Sequence, residues 1–274
     1  MAYKVLNNVS VKDVTSSDLL SLKTDLLVIV INKNTKDKVV NQLAKDVSSH
    51  LKESGSSVLV PNAKSFNAKN VLLVKGFQDS DQIHKLISMY QSIAQKGNQL
   101  KAKDISIMPG TVYPKGKCEM WLIEMVAKTI ESNVYIFSET CNKTAKKPSV
   151  KKLNILVSSL TKSDLIKAKN AAKKGYAIGE GVNSAKYLGD LPANHCTPRI
   201  IEKKVKAMTK DFPKLKVKSF NENQMKKMGM GSFLSVSRGS EEPARMMVIE
   251  YKGGKSSELS LIHISEPTRL LSIA

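Results

Sequence analysis

Cysteine is scarce in this chain, and the few present do not pair. Cys118, Cys141 and Cys196 are odd in number, far apart and free of any Cys-x-x-Cys spacing. A disulfide framework and a structural zinc site both need paired thiols at workable spacing, so neither is expected. Buried or inert thiols are the plainer reading. Aromatic residues make up only 5% of the chain. Single-stranded nucleic acid is held on clustered aromatic side chains beside basic ones, and no such cluster occurs. No apolar run reaches the roughly 18 residues that span a bilayer. Met1-Ala2-Tyr3-Lys4-Val5 enters strand-like sequence directly, without the basic and apolar regions of a signal peptide. A cytoplasmic protein without membrane contact is expected.

Acidic residues are short as well: 24 Asp and Glu stand against 44 Lys and Arg, a net charge of +20. Such a surface concentrates anions and attracts phosphate backbones without reading sequence. The lysines are spread along the whole chain, so a solvated basic surface is the simpler account. Between Cys141 and Lys152 the composition shifts: Lys143, Lys146, Lys147, Lys151 and Lys152 occur with Pro148 and no acid. This reads as a basic surface loop, with a phosphate-binding arm as the alternative.

Catalytic motifs are missing too. There is no His-Glu-x-x-His, no Gly-x-Ser-x-Gly elbow and no phosphate-cradling Gly-x-x-x-x-Gly-Lys. His50, His84, His195 and His263 are scattered without metal-ligand spacing, and Glu241 and Glu242 are neighbours in a polar loop. His195 and Cys196 are adjacent, but sequence neighbours do not by themselves form a nucleophile–base pair, and a third orienting group is needed. No catalytic, metal-binding or substrate-binding residue is assigned.

What is present is a regular alternation. Asp25–Ile31, Val71–Val74, Ile105–Met108, Val134–Phe137 and Leu153–Val157 are short apolar runs of the kind that form strands buried on both faces. Between them lie helical patterns. One carries Val39, Val40, Leu43, Val47 and Leu51 and stops near Gly55; a second, opened by Ser80 and Asp81, carries Ile83, Leu86, Ile87, Tyr90 and Ile93; a third runs from about Cys118 to Ile130. Alternation of this length predicts an α/β domain with a largely parallel sheet and helices on both faces. The C-terminal ends of the Asp25–Ile31 and Val71–Val74 strands could form a ligand crevice, but no residue marks one.

A long helix capped by Ser163 follows, carrying Leu165, Ala168, Ala172, Tyr176, Gly179, Val182 and Leu188. Gly175, Gly179 and Gly181 each cost helix propensity, roughly 1 kcal/mol against alanine. Tolerating three predicts close packing against another element, as in a helix that connects domains. From about Pro192 a second α/β unit begins. It has a helix after Thr197-Pro198, a strand Leu215–Lys218, a short helix to Met228, a turn at Gly229-Met230-Gly231 and a strand Met246–Tyr251. That last strand is expected to present an apolar edge open to pairing with another chain.

Three stretches of this second half carry a family likeness. They are Gly181-Val182-Asn183-Ser184-Ala185-Lys186-Tyr187-Leu188 with Leu191-Pro192-Ala193-Asn194-His195-Cys196-Thr197-Pro198, then Met228-Gly229-Met230-Gly231 with Val236 to Pro243, then Val248-Ile249-Glu250-Tyr251-Lys252-Gly253. In this order they resemble the leucyl aminopeptidase (cytosol aminopeptidase) family. The resemblance implies a macro-like N-terminal domain with a mixed, largely parallel sheet flanked by helices over 1–160. A linker helix would span 161–190, and the truncated start of an α/β peptidase domain 191–258. It also implies two divalent metal ions, manganese or zinc, which activate a bridging water and polarise the scissile carbonyl of a peptide substrate. A homo-hexamer and non-specific DNA binding are further implications for the full-length parent. The family's metal ligands and its catalytic lysine and arginine lie in a glycine-flanked Asp motif and an Asn-Thr-Asp-Ala-Glu-Gly-Arg stretch, neither of which occurs here. The fragment is therefore expected to bind no metal and to be inactive alone, and the quoted residues to shape turns and helix starts. A basic nucleic-acid-binding or phosphorylated-ligand-binding module is the alternative.

The stretch Leu259 to Arg269 resembles one reading frame of a transposase sequencing adapter. Native sequence is expected to end near Ser257 or Glu258, with 259–274 a non-native tail excluded from fold reasoning.

Overall fold

The computed structural model describes residues 5–32, 40, 51, 53–77, 83–110, 113–141, 147–158 and 160–253. These fall into two compact units that divide between His195 and Cys196.

The first unit is built on a six-stranded sheet. In chain order its elements are β1 (Asn8–Asp13), α1 (Ser16–Ser21), β2 (Thr24–Ile31), β3 (Ser57–Pro61), β4 (Ala68–Lys75), α2 (Ile83–Gln99), β5 (Asp104–Met108), α3 (Glu119–Val134), β6 (Lys152–Val157) and α4 (Lys162–Asp190). The spatial order is β1-β6-β5-β2-β4-β3. All neighbours are parallel except β3, which lies antiparallel on β4 at one edge. A mixed, mostly parallel sheet flanked by helices is what the strand–helix alternation predicts.

The central strands are apolar on both faces because both are covered. Leu26, Val28 and Val30 of β2 join Ile105, Ile107, Leu153 and Ile155 in the larger core, with α2 and α3 laid over them through Leu86, Tyr90, Ile93, Leu122, Ile123, Val126 and Ile130. On the opposite face Leu27, Ile29, Val71 and Leu73 pack with Leu19 of α1, Val40, Leu51 and Phe66. Of the helix expected between Val39 and Leu51 only those two residues, Val40 and Leu51, are described, and both are buried. The rest of it, with the expected caps Ser80 and Asp81, lies outside the described residues.

Several local expectations are corrected. Val134–Phe137 is not a strand: α3 runs to Val134, and Tyr135 is its C-cap at φ −59°, ψ 131°. Val134 is buried in the core, and Asn98 Nδ2 donates to its carbonyl at 2.9 Å. The sheet has no vacancy there, because β5 and β6 already pair with each other. The N-cap of α4 is Thr161 rather than Ser163: its side chain accepts the Asp164 N–H, and its hydroxyl donates to the Asp164 carboxylate at 2.7 Å. β1, β3 and α1 are elements beyond those that the apolar runs predict. α1 does carry a local signal, the reciprocal capping box of Thr15 and Asp18.

The largest difference concerns α4. It was expected as a linker beginning at 161, but it packs along α3 and against β1 and so belongs to the first unit. Its buried stripe is Ala168, Ala172, Gly175, Gly179, Asn183 and Tyr187. A Cβ at Gly175 would lie 2.0 Å from the Glu124 carbonyl oxygen, and one at Gly179 would lie 2.7 Å from Glu131 Cβ. Two of the three glycines are therefore needed for close helix packing. Gly181 has nothing within 4 Å and no such reason.

The second unit contains α5 (Pro198–Asp211), β7 (Leu215–Asn221), α6 (Glu222–Lys227), α7 (Gly231–Ser237) and β8 (Arg245–Tyr251). Thr197 caps α5 by accepting the Ile200 N–H, with proline in the first turn. Gly229 takes φ +71° in the turn after α6, a conformation glycine adopts without strain. The sheet of this unit is the antiparallel pair β7–β8.

Candidate functional site

Acidic residues are few, so each buried one stands out. Glu131 sits in the last turns of α3 and is fully buried. Its carboxylate accepts the backbone N–H of Val5 at 2.8 Å and of Leu6 at 3.0 Å. Asn183 of α4 donates through Nδ2 to the Glu131 carboxylate at 2.9 Å and to its backbone carbonyl at 3.0 Å. Tyr176 completes the junction by donating to the Leu6 carbonyl at 2.8 Å. Gly179 leaves the room that the Glu131 side chain occupies. Burial pushes the Glu131 carboxyl above the ordinary carboxylate range, against the opposing pull of its N–H donors. One helix, one amide and the N-terminal arm are thus tied to a single charge. Asn183, the asparagine of the first family-like stretch, spends its donor on this junction. It is a packing residue in the structure.

The rest of that stretch leads out of α4. Asp190 accepts a bond from the Tyr135 hydroxyl at 2.8 Å, and Lys186 Nζ donates to the Ser132 carbonyl at 2.6 Å. Pro192, Ala193, Asn194 and His195 are exposed, the last three in a single 3-10 turn. The residues weighed for chemistry do not converge. His84 is exposed on α2, Cys118 is exposed at the N-cap of α3, Cys141 is exposed and Cys196 is half-buried. His50 and His263 lie outside the described residues, as do Lys143 and Lys146 of the basic loop. Glu242 is held by Arg199, whose Nε and Nη2 both reach it at 3.1 Å. Glu202 is shared by Lys206 at 2.5 Å and Arg245 at 2.8 Å. These cations and a Ser219 hydrogen bond hold the Glu202 carboxyl down at about 2. Among the described residues no group of three or more His, Cys, Asp or Glu could hold a metal ion, so they do not fit the two-cation site that the family likeness implies.

The fold and the junction around Asn183 define an α/β protein of two compact units. Residues 183–264 match the family model described as cytosol aminopeptidase family, catalytic domain. The matched span starts at the buried asparagine and runs into the stretch after 258. A probable cytosol aminopeptidase of Azotobacter vinelandii is 30% identical over 267 residues, covering 92% of this chain and 53% of that protein. A cytosol aminopeptidase of Pseudomonas aeruginosa is 28% identical over 253 residues, covering 87% and 50%. Among solved structures, a mutant tomato leucine aminopeptidase superposes with a TM-score of 0.69 at 19% identity, covering 91% of this chain and 51% of that one. The bottromycin maturation enzyme BotP in complex with Mn gives 0.63 at 16% identity, covering 82% and 45%. The chain belongs to the cytosol aminopeptidase family. It spans about half the length of the curated relatives it matches.

Proposed function

We propose that this chain is the N-terminal half of a metal-dependent aminopeptidase that releases N-terminal residues from peptides. Its metal ligands and catalytic lysine and arginine lie in the part of the relatives that it does not span. The observation that carries this reading is the match of 183–264 to the family's catalytic domain, in a chain that covers only 53% of the Azotobacter relative. A supporting fact comes from the site: Glu202 and Glu242 of the second unit are each held in ion pairs with arginine or lysine. In the parent, two divalent ions, manganese or zinc, would supply an activated water and a polarised carbonyl. Cytoplasmic residence and a homo-hexameric parent are part of the same reading.

The test is a leucyl reporter peptide incubated with the 274-residue chain and added manganese or zinc, beside the full-length Azotobacter vinelandii relative. Hydrolysis by the relative alone is expected. Metal-dependent hydrolysis by the chain would mean that its own histidines, cysteines or acids form a site and that the placement is wrong.

The net charge of +20 supports a second role, non-specific DNA binding. Exposed Lys203, Lys210, Lys214, Lys216, Lys218, Lys226 and Lys227 crowd the second unit. Binding through them should weaken steeply with salt, with a log–log slope of about −0.9 per phosphate contacted. A flat salt dependence would remove this role.

A further inference from the structure

Lysine is spread along the sequence, but the fold does not leave it spread. β6, β5, β2 and β4 are neighbours in the sheet and run parallel, so all four start at one edge. Each has lysine at that start. Lys23 precedes β2, Lys69 is the second residue of β4, Lys101 and Lys103 lead into β5, and Lys151 and Lys152 open β6. Lys151 is half-buried and the other five are exposed, Lys69 with 72% of its side chain in solvent. Lys101 holds φ at +52°, a left-handed turn in which glycine would be unstrained. The two acids at these strand starts are already engaged. Asp25 accepts Lys69 Nζ at 2.6 Å and the Lys103 N–H at 2.8 Å, and Asp104 accepts the Thr24 hydroxyl and the Asp25 N–H. Six lysines therefore stand against two acids along this edge of the first unit.

We infer that this lysine edge is a contact surface for the phosphate backbone of a nucleic acid duplex. The inference rests on the second role proposed above and gives it contacts on the first unit. Strands of a sheet lie about 4.8 Å apart, so four of them set their lysines across about 14 Å. One strand of a duplex presents about four phosphates over that length. Lysine offers a point charge rather than a planar fork, which suits phosphate contact without base reading. A single strand would need stacking aromatics, and none stands at these positions. A lipid surface would need apolar anchors, and the exposed large apolar residues described in the first unit, Tyr113, Ile166 and Ile178, belong to other segments.

The experiment is fluorescence anisotropy of a labelled DNA duplex with the 274-residue chain across a salt series. Lys23→Gln/Lys103→Gln/Lys152→Gln removes three exposed cations from the edge and leaves the Lys69–Asp25 pair in place. Its counterpart, Lys203→Gln/Lys210→Gln/Lys218→Gln, removes three from the second unit. The edge variant should bind roughly tenfold more weakly or worse at low salt, with the log–log slope shallower by about 3. Lys101→Gly removes one cation while easing its turn, so it should stay folded and make the slope shallower by about 1. Edge variants that bind like the wild type overturn the inference; if the second-unit variant alone is weakened, DNA binding itself still stands. A chain that binds no duplex overturns both, whether or not it binds phosphatidylserine vesicles instead.

Discussion

Gly175 and Gly181 lie six residues apart on one helix and should answer an alanine substitution with opposite signs. At Gly175 the new methyl would lie 2.0 Å from the Glu124 carbonyl oxygen. That is about 1.4 Å short of ordinary contact, against backbone that cannot rotate away. Overpacking of this kind costs about 1–3 kcal/mol, and a rigid carbonyl places it at the upper end. The gain in helix propensity returns about 1 kcal/mol, leaving Gly175→Ala destabilised by about 2 kcal/mol. At Gly181 nothing lies within 4 Å, so Gly181→Ala keeps the whole gain of about 1 kcal/mol. The two variants should differ by about 3 kcal/mol, or roughly 6–12 °C in melting temperature for a unit of this size. Thermal melts followed by circular dichroism at 222 nm measure it directly. Equal stability of the two would refute the claim that α4 is pressed onto α3 at Gly175.

Three further outcomes follow from the same structure. Glu131→Ala should strip the Val5 and Leu6 amides and the Asn183 amide of a buried acceptor, at a cost of about 3 kcal/mol or more; urea unfolding reads it, and a change under about 1 kcal/mol would show that water replaces the carboxylate. Because burial raises the Glu131 carboxyl above its ordinary 4.5, its contribution to stability is present below that value and lost as pH rises through the folded one. The melting temperature of the wild type should accordingly fall relative to Glu131→Gln as pH climbs from 4.5, and a constant difference would contradict the shift. Glu202 has the opposite sign: its folded value of about 2 means a contribution present above 4.5 and lost as pH falls toward 2, which Glu202→Gln should abolish in acid melts of the second unit.

How far the sequence discloses this fold depends on whether a segment's fate is decided locally. β2, β4, β5 and β6 are continuous apolar runs, and their burial on both faces follows from composition alone. Val134–Phe137 has the same composition, yet Val134 closes a helix, because a sheet place is decided by which strands have already met. β3 is missed for the converse reason. Its three middle residues are only half-buried, its ends are exposed and it closes on Pro61, a pattern that suits an edge but is too short to announce one. The glycines of α4 were legible as a group, but only the position of α3 separates the two that matter from the one that does not.

Asn183 shows where a motif stops being informative. The asparagine opens the span matched to a catalytic domain, while its side chain faces Glu131 in the first unit, and the structural division falls later, after His195. A sequence boundary marks where one family's pattern begins. A structural boundary marks where burial changes partners. The two boundaries are separated by the last two turns of α4 and the short stretch after it, because one helix serves the first unit with its buried stripe and leads the chain into the second. The signal that could have found the junction was Glu131 itself: a lone acid among Val126, Ala127, Ile130 and Val134, on the apolar face of a helix. A charge there must be hydrogen-bonded, and its partners must come from whatever packs on that face. Sequence poses that requirement at Glu131. It leaves open that the answer comes from residues as distant as Val5, Leu6 and Asn183.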